Sequence, residues 1–224
     1  MQTATGLNPK LMAINNVTSC LYILILVLWL HLTNSLFDVG HFNKTYLQWV
    51  LLFAEVVKYI IFNRYNSKEV KKNETKKSKS PGVFKTVAVL LGMIATYYVV
   101  AVFFGAPFFS KQQETFTFAL TMTILTVLPC SLYLGGDKSV ALMLSLASLN
   151  ITEQYKQFLA LMQFTCLGAW LGAVVIPLDW DRTFQVWPVP CILGALAGLF
   201  FGHFVLLVLY VFERKNKKKL KAEC

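Results

Sequence analysis

The sequence predicts an all-α, polytopic membrane protein with six transmembrane helices, both termini in the cytosol and no soluble domain. Three observations carry this. Apolar residues make up 56% of the 224-residue chain and charged residues only 14%, about half the charged share of ordinary globular proteins. Long apolar runs occur without period-2 alternation, which favours helices over barrel strands. The net charge of +10 is confined to two stretches whose placement sets an orientation.

A helix needs about 20 mostly apolar residues to cross the hydrocarbon. Six stretches qualify: residues 17–37, 46–62, 86–109, 116–134, 158–178 and 189–212. The first follows Lys10 and is too long for the apolar part of a signal peptide, so it reads as a retained anchor. The second is short and carries Glu55 and Lys58. Between the second and third, residues 66–81 are rich in Lys, Ser, Asn and Glu and read as a flexible tether. After the fourth, Gly135-Gly136 breaks the chain, and the apolar run 140–149 suggests a short helix lying at the interface. The fifth and sixth are joined by a stretch bracketed by Pro177 and Pro188, which fix where the helices stop and start. The pair is expected to form an antiparallel hairpin.

Residues 64–85 hold eight basic and two acidic side chains, and residues 213–224 hold six and two. The other 190 residues carry seven of each sign. A neutral body with two basic patches excludes a basic nucleic-acid-binding domain. With the tail 213–224 in the cytosol, six crossings place the N-terminus, the basic loop 64–85 and the loop 135–157 on that same side. That side then collects 17 of the 21 Lys and Arg residues, as the positive-inside bias requires. The opposite loops hold only Lys44, Lys111 and Arg182. An odd number of crossings would part the two patches. The opposite segments, about 38–45, 110–115 and 177–188, are too short to fold alone. Chemistry on that face must therefore use helix ends or belong to a partner.

Catalytic signatures are scarce. The five cysteines (Cys20, Cys130, Cys166, Cys191, Cys224) show no CxxC spacing and read as reduced thiols. His31, His41 and His203 lie far apart, with no metal-ligand spacing. No Gly-rich loop with a following Lys cradles a phosphate. This chain is expected to hold no cofactor or metal of its own.

Glu55 falls near the middle of the second segment, where an ionisable group costs about 2.5–3.5 kcal/mol and is a functional candidate by default. Lys58, three residues on, shares its helix face. A structural pair is one reading; contact with a polar lipid or a partner's helix is the other. His203, also near mid-membrane, is a candidate hydrogen-bond partner.

Gly168 and Gly172 form one GxxxG step in the fifth segment, and Gly194, Gly198 and Gly202 form two in the sixth. Spacing of four keeps them on one face and lets a neighbouring backbone come close. Either these faces pack on each other, or the sixth receives a helix from another subunit. In the connection, Trp180 and Trp187 suit the headgroup level. Asp179 and Asp181 can accept from Arg182 or from the first amides of the sixth helix. A compact braced turn is the plainer reading; metal or phosphate ligands are the sharper one.

The block Gly168-Ala-Trp-Leu-Gly-Ala, then Ile176-Pro-Leu-Asp-Trp-Asp-Arg, then Gln185-Val-Trp-Pro resembles the signature of the PIG-F family of the glycosylphosphatidylinositol (GPI) anchor pathway. It covers 21 residues. Size, six apolar segments and the basic second loop fit along the whole chain, while the first two segments match by layout alone. Thr183 departs from the proline expected there. The resemblance implies a small endoplasmic reticulum (ER) membrane subunit without enzymatic activity. Such subunits associate with and stabilise the GPI ethanolamine phosphate transferases, of the 2 and 3 types that modify the second and third mannoses. The metal-dependent phosphotransfer domain then sits in the partner's lumenal part, and the hairpin braces the partner's helices beneath it.

Competing readings are an integral-membrane lipid-handling protein or enzyme using Glu55 and the Asp179–Arg182 turn, and a small transporter. The last lacks an internal repeat or paired broken helices. A hybrid subunit would also contact membrane lipids, including the GPI precursor, in an intramembrane groove. Of four Asn-x-Ser/Thr sequons, Asn16, Asn73 and Asn150 fall on or near the cytosolic side and Asn43 hugs the membrane, so none is expected to carry a sugar. The tail has Lys221 but Ala222, lacking the paired lysines of a simple retrieval signal; retention through a partner is one explanation.

Overall fold

The computed structural model describes residues 9–70, 83–143, 153–178 and 182–222. These form eight α-helices and one 3-10 turn, and no strand occurs among the described residues. The helices are α1 (Pro9–Leu32), α2 (Phe42–Thr45), α3 (Leu47–Val70), α4 (Val83–Phe103), α5 (Gln112–Leu134), α6 (Gly136–Met143), α7 (Glu153–Ala173) and α8 (Val189–Ala222). The 3-10 turn, Thr183–Gln185, lies between α7 and α8.

Six of the helices have 21 to 34 residues. Four are long and apolar enough to cross a membrane: α1, α4, α5 and the Val189–Asn216 part of α8. The sequence reading expects six such segments. α3 and α7 have the length but not the composition, because Glu55, Lys58 and Arg64 interrupt the first, and Lys156, Gln157 and Gln163 the second.

Helix ends differ from the apolar runs in an instructive way. α1 begins at Pro9, eight residues before Val17, with proline in the first-turn position where its missing N–H costs nothing. Asn15 and Asn16 look like a polar lead-in but belong to the helix, and Asn16 is buried. α3 continues past Phe62 to Val70, and α8 continues past Phe212 through the basic tail to Ala222. Lys, Arg and Glu are good helix formers, so a helix outlasts its apolar part. The tether read at 66–81 is thus helical up to Val70, and residues 71–82 lie outside the described ones. α6 starts directly at Gly136, ahead of the run 140–149, whose residues beyond Met143 are also outside them.

α5 is the central helix. It packs against α3, α4, α7 and α8, and its threonines supply much of its buried surface. Each of Thr115, Thr117, Thr121, Thr123 and Thr126 donates to the carbonyl four residues back, at 2.6–3.0 Å. A hydroxyl satisfied within its own helix can face an apolar core without an orphaned donor. Tyr97 shares a 2.9 Å hydrogen bond with Thr126, joining α4 to α5. Gly135, at φ +89°, takes the left-side conformation that ends α5, its N–H bonding Ser131 O at 3.0 Å. A Cβ at Gly136 would come within 3.4 Å of the Lys85 carbonyl, so the second glycine lets α6 lie against α4.

The helices alternate in direction. Tyr22 meets Glu55 and Ser19 meets Lys58 across α1 and α3, while Asn16 meets His203 across α1 and α8. α3 and α5 run parallel, with Gln48 beside Thr121 and Tyr59 beside Tyr133. The connections 33–46, 104–111 and 174–188 therefore gather at one end of the bundle.

Candidate functional site

The α7–α8 hairpin is built on glycine. A Cβ on Gly168 would overlap the Gly194 carbonyl oxygen, and one on Gly194 would overlap that of Gly168. Gly172 stands equally close to Pro190, and Gly198 to Phe164. A Cβ on Gly202 would lie 3.1–3.2 Å from the Phe164 and Leu161 side chains. The two backbones thus approach as closely as helices can, a contact that small residues alone permit. The glycine stripe of α8 is covered by α7 of the same chain, which leaves no space on that stripe for a helix from elsewhere.

Of the connecting turn, Asp179, Trp180 and Asp181 lie outside the described residues. Arg182 is exposed. The brace of the described part is Gln185, which the sequence reading quoted in the signature block without giving it a role. Its Oε1 accepts from the Arg182 N–H at 2.9 Å, and its Nε2 donates to the carbonyls of Val175 and Leu178. One side chain thereby ties both arms of the turn. Trp187 is half-buried rather than free at the surface: its Nε1 donates to Thr115 Oγ1 at 3.2 Å, and its ring packs on Phe118 at 5.2 Å. A Cβ on Gly40 would lie 2.6 Å from Pro188 Cδ. The start of α8 is in this way wedged between α5 and the α1–α3 connection.

The buried charges form a compact set. Glu55 and Lys58 are 3% and 8% exposed and pair at 2.8 Å. Tyr22 donates to Glu55 Oε1 at 2.7 Å, and Lys58 donates to Ser19 Oγ at 2.9 Å. The Lys58 ammonium also stands 5.3 Å from the Tyr22 ring centroid. α1 therefore contacts both members of an α3 pair. His203 bonds Asn16, not Glu55, at 3.0 Å.

Three buried polar atoms next to this set have no protein partner: Glu55 Oε2, Asn15 Oδ1 and Tyr133 Oη. They line two small cavities of about 10 and 20 Å³ that share Asn15, Tyr133, Phe158 and Leu161. Each is large enough for about one water molecule. Glu55, Lys58 and His203 all border the first. The two halves of the sequence-predicted polar set thus meet at a cavity wall rather than through a direct bond. Glu55 lies eight residues into α3, about 12 Å along the axis from its Leu47 end. Its partners are Tyr22 and Lys58, and it does not join Arg182 in one site. Among the described residues no three His, Cys, Asp or Glu side chains converge as metal ligands.

Tyr22, Ser19 and Asn16 were invisible as site residues in the sequence. Their only signal was the spacing of three residues between polar groups along the helix that carries the first apolar run.

A bundle of long helices, four of them able to span a bilayer, closed around a buried ion pair and a glycine hairpin, defines a multi-helix membrane protein. The family model described as GPI biosynthesis protein family Pig-F matches residues 15–207, a span that includes both features. The chain belongs to this family. A human protein named GPI ethanolamine phosphate transferase, stabilizing subunit, is 31% identical over 182 residues, covering 79% of this chain and 81% of that protein. A mouse protein of the same name is 38% identical over 125 residues, 55% of each chain. A Pyricularia oryzae protein named Glycosylphosphatidylinositol anchor biosynthesis protein 11 is 38% identical over 120 residues, 53% of this chain and 44% of that one. No solved structure matches.

Proposed function

We propose that this chain is the stabilising, non-catalytic subunit of a GPI ethanolamine phosphate transferase in the ER membrane. It spans the bilayer six times with both termini cytosolic, α3 and α7 crossing beside the four more apolar helices. Its catalytic partners are the transferases acting on the second and third mannoses, and the metal for phosphoryl transfer belongs to them. The observation that carries this reading is the match to relatives named as stabilising subunits, along most of the human protein's length. The geometry supports it: the connections 33–46, 104–111 and 174–188 are too short to make a domain at the lumenal end.

Removing this chain from cells, then measuring transferase abundance and cell-surface GPI-anchored protein, tests the reading. Both fall, and both return with the wild-type chain. An unchanged transferase level overturns the proposal, as does transfer of phosphoethanolamine by the purified chain alone. The enzymatic alternative makes a different forecast for Asp181→Asn, namely lost transfer with the complex assembled at normal level.

A further inference from the structure

α1 and α3 touch through Tyr22–Glu55 and Ser19–Lys58. On the Pro9 side of that contact they leave a groove of about 530 Å³, open along one flank. Leu11 and Ile14 on α1, with Ala54, Val57, Ile61 and Phe62 on α3, make its wall chiefly apolar. Tyr22 and Lys58 close its inner end.

Three properties identify what fits. The wall runs from Leu11 to Tyr22, about 16 Å of helix, which is about half of a ~30 Å hydrocarbon core. The groove is therefore one leaflet deep and stops at the ion pair. A packed helix of 10 Å diameter would need about 1,250 Å³ over that length, more than twice the space, whereas 530 Å³ suits a small apolar ligand. Lys10 and Arg64 are exposed and adjoin the wall residues Leu11 and Tyr65 at the open end. Basic side chains at a membrane surface favour anionic headgroups.

We propose that this groove seats one acyl chain of an anionic phospholipid, with the headgroup beside Lys10 and Arg64 in the leaflet that borders the basic segments. The inference rests on α1 and α3 crossing the membrane, not on the transferase role. Of the buried pair only Lys58 lines the groove, and Glu55 behind it balances its charge, so the chain end meets no uncompensated charge.

The full-length protein, purified in detergent alone and with co-purifying transferase, is titrated with phosphatidylserine or phosphatidylcholine and read by native mass spectrometry. One phosphatidylserine per chain is retained in preference to phosphatidylcholine, each basic residue contributing about fivefold. Ala54→Trp, which fills the groove, lowers retention about tenfold, while Leu24→Trp on the outer, lipid-facing side of α1 leaves it unchanged. Lys10→Gln with Arg64→Gln removes the headgroup preference but not the bound chain. A phosphatidylserine carrying a photoreactive tail, used on the wild-type protein, labels 11–22 and 54–65. Equal retention by a folded Ala54→Trp, labelling spread over other helices, or crosslinking of that groove to a transferase helix overturns the proposal. Transferase abundance, measured in the same cells, reports separately on the stabilising role.

Discussion

The Tyr22 hydroxyl donates to Glu55 Oε1 at 2.7 Å, on the oxygen that also receives Lys58 Nζ at 2.8 Å. One carboxylate oxygen therefore holds α1 to α3 and neutralises the only buried ammonium among the described residues. Breaking such a pair from one side leaves a charge uncompensated, which costs about 3–5 kcal/mol. Glu55→Gln and Lys58→Met should each destabilise the purified protein by about that much. The double substitution should cost clearly less than the sum, because the surviving charge is gone. Thermal unfolding in one detergent, arranged as a double-mutant cycle, measures the coupling. Additive losses would show that the two residues act separately.

Glycine position, rather than glycine content, decides tolerance. Gly198→Ala drives a methyl group into the Phe164 carbonyl, and neither backbone can yield without parting α7 from α8. Overpacking costs about 1–3 kcal/mol where side chains can shift, and the loss here should lie at or above that upper bound. Gly92, inside α4, has nothing within 4 Å of an added Cβ. Gly92→Ala should stabilise by about 0.5–1 kcal/mol through helix propensity alone. Melting temperatures of the two variants should therefore move in opposite directions.

Much of this architecture was legible in the sequence, and the failures share one cause. Apolar runs locate helices by their lipid-compatible middle, so 116–134 nearly coincides with α5, whose buried threonines satisfy themselves. The same reading misplaces the starts and ends where polar residues are helical: Asn16 in α1, Arg64 and its successors in α3, the basic tail in α8. GxxxG spacing identified the close faces of α7 and α8, yet spacing alone was equally compatible with a face waiting for another subunit. The Glu55–Lys58 pair followed from an i, i+3 rule. Its third and fourth members came from α1, and no one-dimensional signal connects Tyr22 and Ser19 to α3.

The α7–α8 turn should depend on Gln185 more than on its neighbours' charges. Gln185→Leu keeps the volume but removes a bond to Arg182 N–H and two to the Val175 and Leu178 carbonyls. At about 1 kcal/mol for each net bond, a loss of about 2–3 kcal/mol is expected. Trp187→Phe loses a single hydrogen bond, to Thr115, with part of the ring contact on Phe118, and should cost at least about 0.5–1.5 kcal/mol. Limited proteolysis of the turn, calibrated against thermal unfolding, separates local opening from global loss. A Gln185→Leu protein as resistant as wild type would assign the brace elsewhere.

Orientation can be tested at two exposed lysines. Lys44 follows the first long helix and lies on the same end of the bundle as the α7–α8 turn, whereas Lys215 stands near the far end of α8. Six crossings with cytosolic termini put Lys44 in the lumen and Lys215 in the cytosol. In sealed, right-side-out ER vesicles, with Cys224→Ser as background, a membrane-impermeant maleimide should modify Lys215→Cys at once and Lys44→Cys only after permeabilisation. Asn16 offers an independent control. It is buried against His203, so it should stay unglycosylated whichever way the bundle is inserted. Simultaneous labelling of both cysteines in sealed vesicles would place the two ends of the bundle on one side and rule out the odd count of crossings that six spans put between them. The basic patches would then need another explanation than the positive-inside bias.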